Sequence, residues 1–150
     1  MVPFGPLSLP EPISERVTNI LLVDDDDLDI ENVRRAFKKA SIRNPLWIAR
    51  DGEEALRVLR GPDFPTQRRL VLLDLNMPRM NGIEALREIR KDPALHNLSV
   101  VILTTSHEER DRTEAFGLHV AGYLLKPVTF DSFIELMATL NQYWAMIELP

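Results

Sequence analysis

The chain has 150 residues, 45% of them hydrophobic and 27% charged, with a net charge of -5 and no cysteine. That size suits one domain with a core that needs no staple, and the composition is neither disordered nor collagen-like. Absent cysteine excludes disulfides, thiolate catalysis and cysteine-bound zinc, and the acidic balance argues against tight nonspecific nucleic-acid binding, which depends on Lys and Arg meeting phosphates.

The opening "MVPFGPLSLPEPISERV" carries Pro3, Pro6, Pro10 and Pro12. Each removes a backbone donor and fixes its own φ, so residues 1–16 read as a Pro-rich arm and residues 17–150 as the folded domain. The start lacks a signal-peptide pattern, and no apolar run nears the ~20 residues of a membrane span, so a cytoplasmic protein without a membrane partner is expected.

From Val17 onward aliphatic runs alternate with helix-period segments. In order they are "NILLV", "IENVRRAFKKA", "LWIA", "EEALRVLR", "LVLLDL", "IEALREIRK", "SVVILTT", "ERDRTEAFG", "AGYLLK" and "FDSFIELMATLNQYWAMI". Several strand runs are continuously apolar, as parallel strands covered on both faces are. Five strands alternating with five helices predict an α/β fold: a doubly wound five-stranded parallel sheet with helices on both faces. In the first helix Ile30, Val33 and Phe37 share a face, with Arg34, Arg35, Lys38 and Lys39 directed mostly away from it. Gly61 and Pro62 end the second helix, and Asn81 with Gly82 opens the third.

In such sheets function gathers at the carboxyl ends of the strands. The first strand ends at Asp24 and Asp25, the third at Asp74, the fourth at Thr104, and the fifth leads through Tyr123 to Lys126 and Pro127. Three neighbouring carboxylates repel by roughly 4 kcal/mol per pair at 4 Å and an effective dielectric near 20. A hard divalent cation such as Mg²⁺, with the Lys126 ammonium beside it, offsets that repulsion. Asp27 and Asp29 are expected to cap the following helix or face water, and Asp26 to sit near the metal or face water.

The segments "LLVDDDD", "LLDLNMPRMNG", "VILTTS" and "YLLKPV", in this order, resemble the receiver domain of two-component response regulators, from about Asn19 to about Leu140. The resemblance implies a flavodoxin-like receiver fold and a Mg²⁺-dependent phosphoacceptor, Asp74, supplied by a sensor histidine kinase. It also implies that Asp24 and Asp25 hold Mg²⁺ together with Asp74 and the backbone carbonyl of Asn76. Thr104 and Lys126 would bind phosphoryl oxygens, Tyr123 would be an aromatic switch, and Pro127 would follow Lys126 through a cis bond. Such a protein is a signalling switch, not an enzyme, and works only on its own phosphoryl group. A carboxylate is already ionised at neutral pH, so no separate general base is needed, and neutralising charge is the main catalytic demand.

Other readings of these residues are weaker or fail. No Gly-Lys-Ser/Thr loop supports a P-loop ATPase. A calcium loop starting at Asp24 would need Gly where Asp29 stands and Glu where Arg35 stands. His96, His107 and His119 read as surface or loop residues, and Met77, Met80 and Met137 as packing. Thr105 stands where receivers often carry alanine, while Asn76 and Ser106 flank the site and can tune dephosphorylation. Two alternatives remain open: a Mg²⁺-dependent aspartyl-phosphate phosphatase of the haloacid dehalogenase type, and a receiver-fold interaction module that takes no phosphate.

In the last segment Phe130, Phe133, Ile134, Met137, Leu140 and Trp144 form one apolar stripe, widened by Leu136, Tyr143 and Ile147. That exceeds the ~100° band of a one-sided helix, and excess apolar surface marks an interface, here a homodimer through the C-terminal helix; the alternative cover is the arm or the C-terminus folding back. The tail with "YW" and "ELP", together with "LTTS", is similar to stand-alone receivers paired with bacterial phytochrome-type kinases. No output domain fits the remaining residues, so output through protein contacts is expected.

Overall fold

The computed structural model describes residues 18–39, 46–105 and 117–148, with side chains as far as Thr139. In chain order the elements are β1 (Asn19–Val23), α1 (Asp27–Lys39), β2 (Trp47–Ala49), α2 (Gly52–Arg60), β3 (Arg69–Asp74), α3 (Gly82–Lys91), β4 (Ser99–Thr104), β5 (Gly122–Leu125) and α4 (Phe130–Glu148). The arm and all but the last residue of the helix expected over "ERDRTEAFG" lie outside the described residues; Gly117 itself sits in a turn.

The strands form one parallel sheet in the order β2-β1-β3-β4-β5. Successive strand residues point to opposite faces, and this splits each continuously apolar run between two cores. Leu21, Val23, Val71, Leu73, Val100 and Ile102 pack under α2 and α3 with Leu56, Leu86 and Ile89. Ile20, Leu22, Leu70, Leu72, Val101 and Leu103 pack under α1 and α4 with Val33, Phe37 and Phe133. The rings of Phe37 and Phe133, 4.8 Å apart between centroids, join those two helices. The strand order reverses between β1 and β3, so their carboxyl ends border the crevice where doubly wound sheets place their ligands.

Two expectations need correction. The cap of α1 is Asp26: its Oδ1 accepts from the Leu28 and Asp29 amides at 2.8 and 3.3 Å. This starts the helix at Asp27, ahead of the apolar periodicity. On α4, Ile134 is exposed and Leu136 packs against the core instead, because the helix buries the Phe133–Met137 side of the apolar band. The side chains of Leu140, Tyr143, Trp144 and Ile147 lie outside the described residues. Among the described residues no helix is long and apolar enough to cross a membrane.

At the end of the sheet away from the crevice, the Arg90 guanidinium donates to the carbonyls of Leu118, His96, Leu98 and His119 at 2.8, 3.0, 2.8 and 2.8 Å. One side chain thereby satisfies four loop acceptors and ties α3 to both segments flanking β4.

Candidate metal and phosphoryl centre

The rim is built from the residues just past β1 and from the last residue of β3. The Asp24 amide donates to Ala49 O at 3.0 Å, prolonging the β1–β2 ladder by one residue and turning the Asp24 side chain into the protein. Asp24 is fully buried. Its Oδ1 accepts from the Asp26 amide at 2.9 Å. Its Oδ2 makes no hydrogen bond, although Lys126 Nζ lies 3.3 Å away. Asp74, the buried last residue of β3, accepts from the Asn76 amide at 3.4 Å. Asp25 is exposed at the lip. Oxygen atoms of Asp24, Asp25 and Asp74 lie within 4.8 Å of one another.

Lys126 reaches this cluster from β5. Its amide donates to Thr104 O at 2.8 Å, locking the end of β5 to the end of β4. Its side chain is 13% exposed, and its ammonium lies 2.9 Å from Asp74 Oδ1 and 2.8 Å from Asp29 Oδ2. The peptide bond to Pro127 is cis. Thr104 is buried at the end of β4, while Thr105 lies exposed on the lip. Tyr123 stands opposite Ile102 and packs, half-buried, against the core under α2 and α3. Asp25, Asp29, Asp74, Asn76, Thr105 and Lys126 border an open depression of about 540 Å³. Ser106 and His107 lie outside the described residues, His96 and His119 are exposed, and Met77, Met80 and Met137 pack against the two cores.

The loop between β3 and α3 folds flat against the end of β3. Gly82 N donates to Leu75 O at 3.1 Å. A Cβ at Gly82 would run into the Asp74 carbonyl oxygen and come within 2.8 Å of Leu75 Cα, so only glycine fits. Asn81 caps α3 in a reciprocal box with Glu84, a motif that fixes where this loop ends.

Burial sets the electrostatics. It pushes the Asp24 carboxyl up to about 7; the Asp26 amide opposes the shift, the Asp74 charge adds to it, and Lys126 opposes it. Burial likewise raises Asp74, against the hydrogen bond and charge of Lys126. Burial disfavours the Lys126 ammonium, but the carboxylates of Asp29, Asp74 and Asp24 outweigh it and raise the pKa. The cluster therefore carries more carboxylate than one ammonium balances, with a buried Asp24 oxygen left unbonded. This donor set, oxygen only and open to solvent on one side, fits a hard divalent cation.

Asp29 is the residue that motif reasoning placed wrongly. It does not cap α1; its carboxylate faces Lys126. The available signal was its place in the first turn of α1, where side chains lean back toward the helix start and so over the rim. Asp27 is exposed and pairs with Arg50 at 2.5 Å.

Residues 20–138 match the family model described as the response regulator receiver domain. The chain belongs to the response regulator receiver family. The receiver is 37% identical over 128 residues to the response regulator Rcp1 of Synechocystis sp., covering 83% of this chain and 87% of Rcp1. Among solved structures, the bacteriophytochrome response regulator RtBRR superposes with a TM-score of 0.73 at 37% identity, covering 83% of the receiver and 78% of that chain. The Mn²⁺-bound form of Rcp1 gives 0.64 at 36% identity, with 85% and 94% covered. The phosphorylated cyanobacterial phytochrome response regulator RcpA gives 0.66 at 32%, with 86% and 95% covered. The receiver is thus a signalling protein of the two-component class, with a doubly wound receiver fold and phytochrome-linked homologues, and phosphorylation-dependent signalling fits that membership.

Proposed function

We propose that Asp74 is the phosphoacceptor, taking a phosphoryl group from a sensor histidine kinase in a Mg²⁺-dependent reaction. The observation that carries this is the convergence of Asp24, Asp25 and Asp74 within 4.8 Å, with Lys126 Nζ 2.9 Å from Asp74. An ionised Asp74 oxygen attacks phosphorus while the bond from phosphorus to the kinase imidazole nitrogen breaks. Asp24, Asp25, Asp74 and the Asn76 carbonyl would hold the cation, which when bound screens the carboxylates and the charge on the transferring phosphoryl oxygens. With a cation held there, the Asp24 and Asp74 carboxyls would ionise more readily, leaving Asp74 charged for attack. Lys126 then pairs with a phosphoryl oxygen, Thr104 hydrogen-bonds another, and Tyr123 turns inward as Thr104 moves. The Mn²⁺ form of Rcp1 and the phosphorylated RcpA support both parts of this reading.

In this reading the receiver acts only on its own phosphoryl group, within the cytoplasm, and the phytochrome-linked homologues favour a phytochrome-type kinase. Residues 1–16 form an arm and 17–150 the domain. Output runs through protein contact, including a homodimer across α4, which the exposed Ile134 and, on the adjacent β5, the exposed Leu125 support. The test is intact-mass measurement after incubation with acetyl phosphate. A gain of one phosphoryl group that needs Mg²⁺ and vanishes in Asp74→Asn is expected; equal labelling of Asp74→Asn overturns the assignment.

A further inference from the structure

Asp51 does more than cap a helix. It is 2% exposed, and its Oδ1 caps α2 by accepting from the Glu54 amide at 2.9 Å. Its Oδ2 accepts from Arg79, by Nε at 2.7 Å and also by Nη2. Capping accounts for only one oxygen, since a neutral Asn caps equally well. Arg79 belongs to the loop between β3 and α3 and holds φ at 60°, the left-handed region that side-chain-bearing residues rarely adopt. The next residue is pinned as well: Gly52 N donates to Met80 O at 2.9 Å, and a Cβ at Gly52 would stand 2.8 Å from that oxygen. The far end of the loop is fixed on Leu75 O through Gly82 N. Between these pins lies Asn76.

A surface ion pair ordinarily contributes little, and the Arg50–Asp27 pair, exposed on both sides, is of that kind. The Arg79 pair differs because its carboxylate is buried and two guanidinium N–H groups, Nε and Nη2, converge on the one Asp51 oxygen that the helix cap leaves over, a charge-assisted contact at both donors. We propose that the Asp51–Arg79 pair is a positioning device for the divalent-cation centre: it holds the loop carrying Asn76 at a set distance from Asp24 and Asp74, and so sets cation affinity. This rests on the metal reading above.

The same helices supply an internal control. Arg60 Nε lies 3.0 Å from Asp92 Oδ2, joining the other ends of α2 and α3 away from the rim. Calorimetric titration of the full chain with Mg²⁺ alone would compare wild type, Asp51→Asn, Arg79→Ala, the double variant and Arg60→Ala. Asp51→Asn keeps the cap, so folding is preserved. About tenfold weaker binding is expected for each single variant, in line with losses from removing groups that orient ligands. The double variant should be no weaker than the singles, as partners in one interaction behave, and Arg60→Ala should bind like wild type. A long-range charge effect would move Asp51→Asn and Arg79→Ala in opposite directions. That result, wild-type affinity in both, or an equal loss in Arg60→Ala overturns the proposal. Failure of wild type to bind Mg²⁺ removes the metal reading itself, and this inference with it.

Discussion

Lys126 Nζ sits closer to Asp29 Oδ2, at 2.8 Å, than to Asp24 Oδ2, at 3.3 Å. An acid from the first turn of α1 thus shares the ammonium that the proposed phosphoryl group must recruit. Asp29 also adds like charge beside the acceptor. Both effects oppose phosphorylation, so Asp29→Asn should raise the phosphorylated fraction at saturating Mg²⁺. One pairwise interaction of about 1 kcal/mol corresponds to about fivefold in the equilibrium. Phosphate-affinity gels with limiting acetyl phosphate measure it, and a lower fraction than wild type would refute the competition.

Asp24 gives the metal-free protein an unusual pH response. Its folded pKa of about 7 lies above the ordinary 3.8, so the folded state keeps a proton that the unfolded chain has lost. Stability from this group is therefore present below about pH 4 and disappears as pH climbs through 7. Asp24→Asn removes the penalty. In chelator, its melting temperature should match wild type near pH 4 and exceed it by about 5 °C at pH 8. Calorimetric scans across that range would show parallel curves if Asp24 ionises normally.

How much of this was legible in the sequence differs by length scale. The residue ending each strand is a local property, so Asp24, Asp74, Thr104 and Lys126 could be placed on one rim from hydrophobic runs alone. Period-two alternation hidden inside "LLV" and "VLL" was not visible, because both faces are buried and both sets are aliphatic. Asp26 was passed over as the cap because α1 starts a turn before its apolar stripe. The Asp51–Arg79 contact and those of Arg90 with Leu118 and His119 span 28 or 29 residues, and no spacing rule reports them. Ile134 and Leu136 exchanged places because the width of an apolar band does not say which edge meets the sheet.

Lys126→Ala should separate phosphorylation from its readout. The three carboxylates remain, so folding and Mg²⁺ binding persist, while the phosphoryl group loses its link to β5. Fluorine NMR of fluorotyrosine-labelled protein should show the Tyr123 signal shifting on phosphorylation in wild type and staying fixed in the variant. A full shift in the variant contradicts the role given to Lys126.

Arg90 should matter for stability alone. Arg90→Ala strands carbonyls of Leu98, Leu118, His96 and His119, some partly buried, at a cost of about 2 kcal/mol. Arg90→Lys should recover little, since one ammonium cannot span four acceptors. Urea titration gives both values. Acetyl phosphate labelling in native buffer should be unchanged, because these contacts lie at the far end of the sheet.

The most direct measurement is the location of the phosphoryl group after transfer from a sensor histidine kinase, trapped by borohydride reduction and read by tandem mass spectrometry. Reduction at position 74, dependent on Mg²⁺ and lost on chelation, is the result this account predicts. Reduction at position 24 instead, or continuous phosphate release without a trapped species, would contradict it.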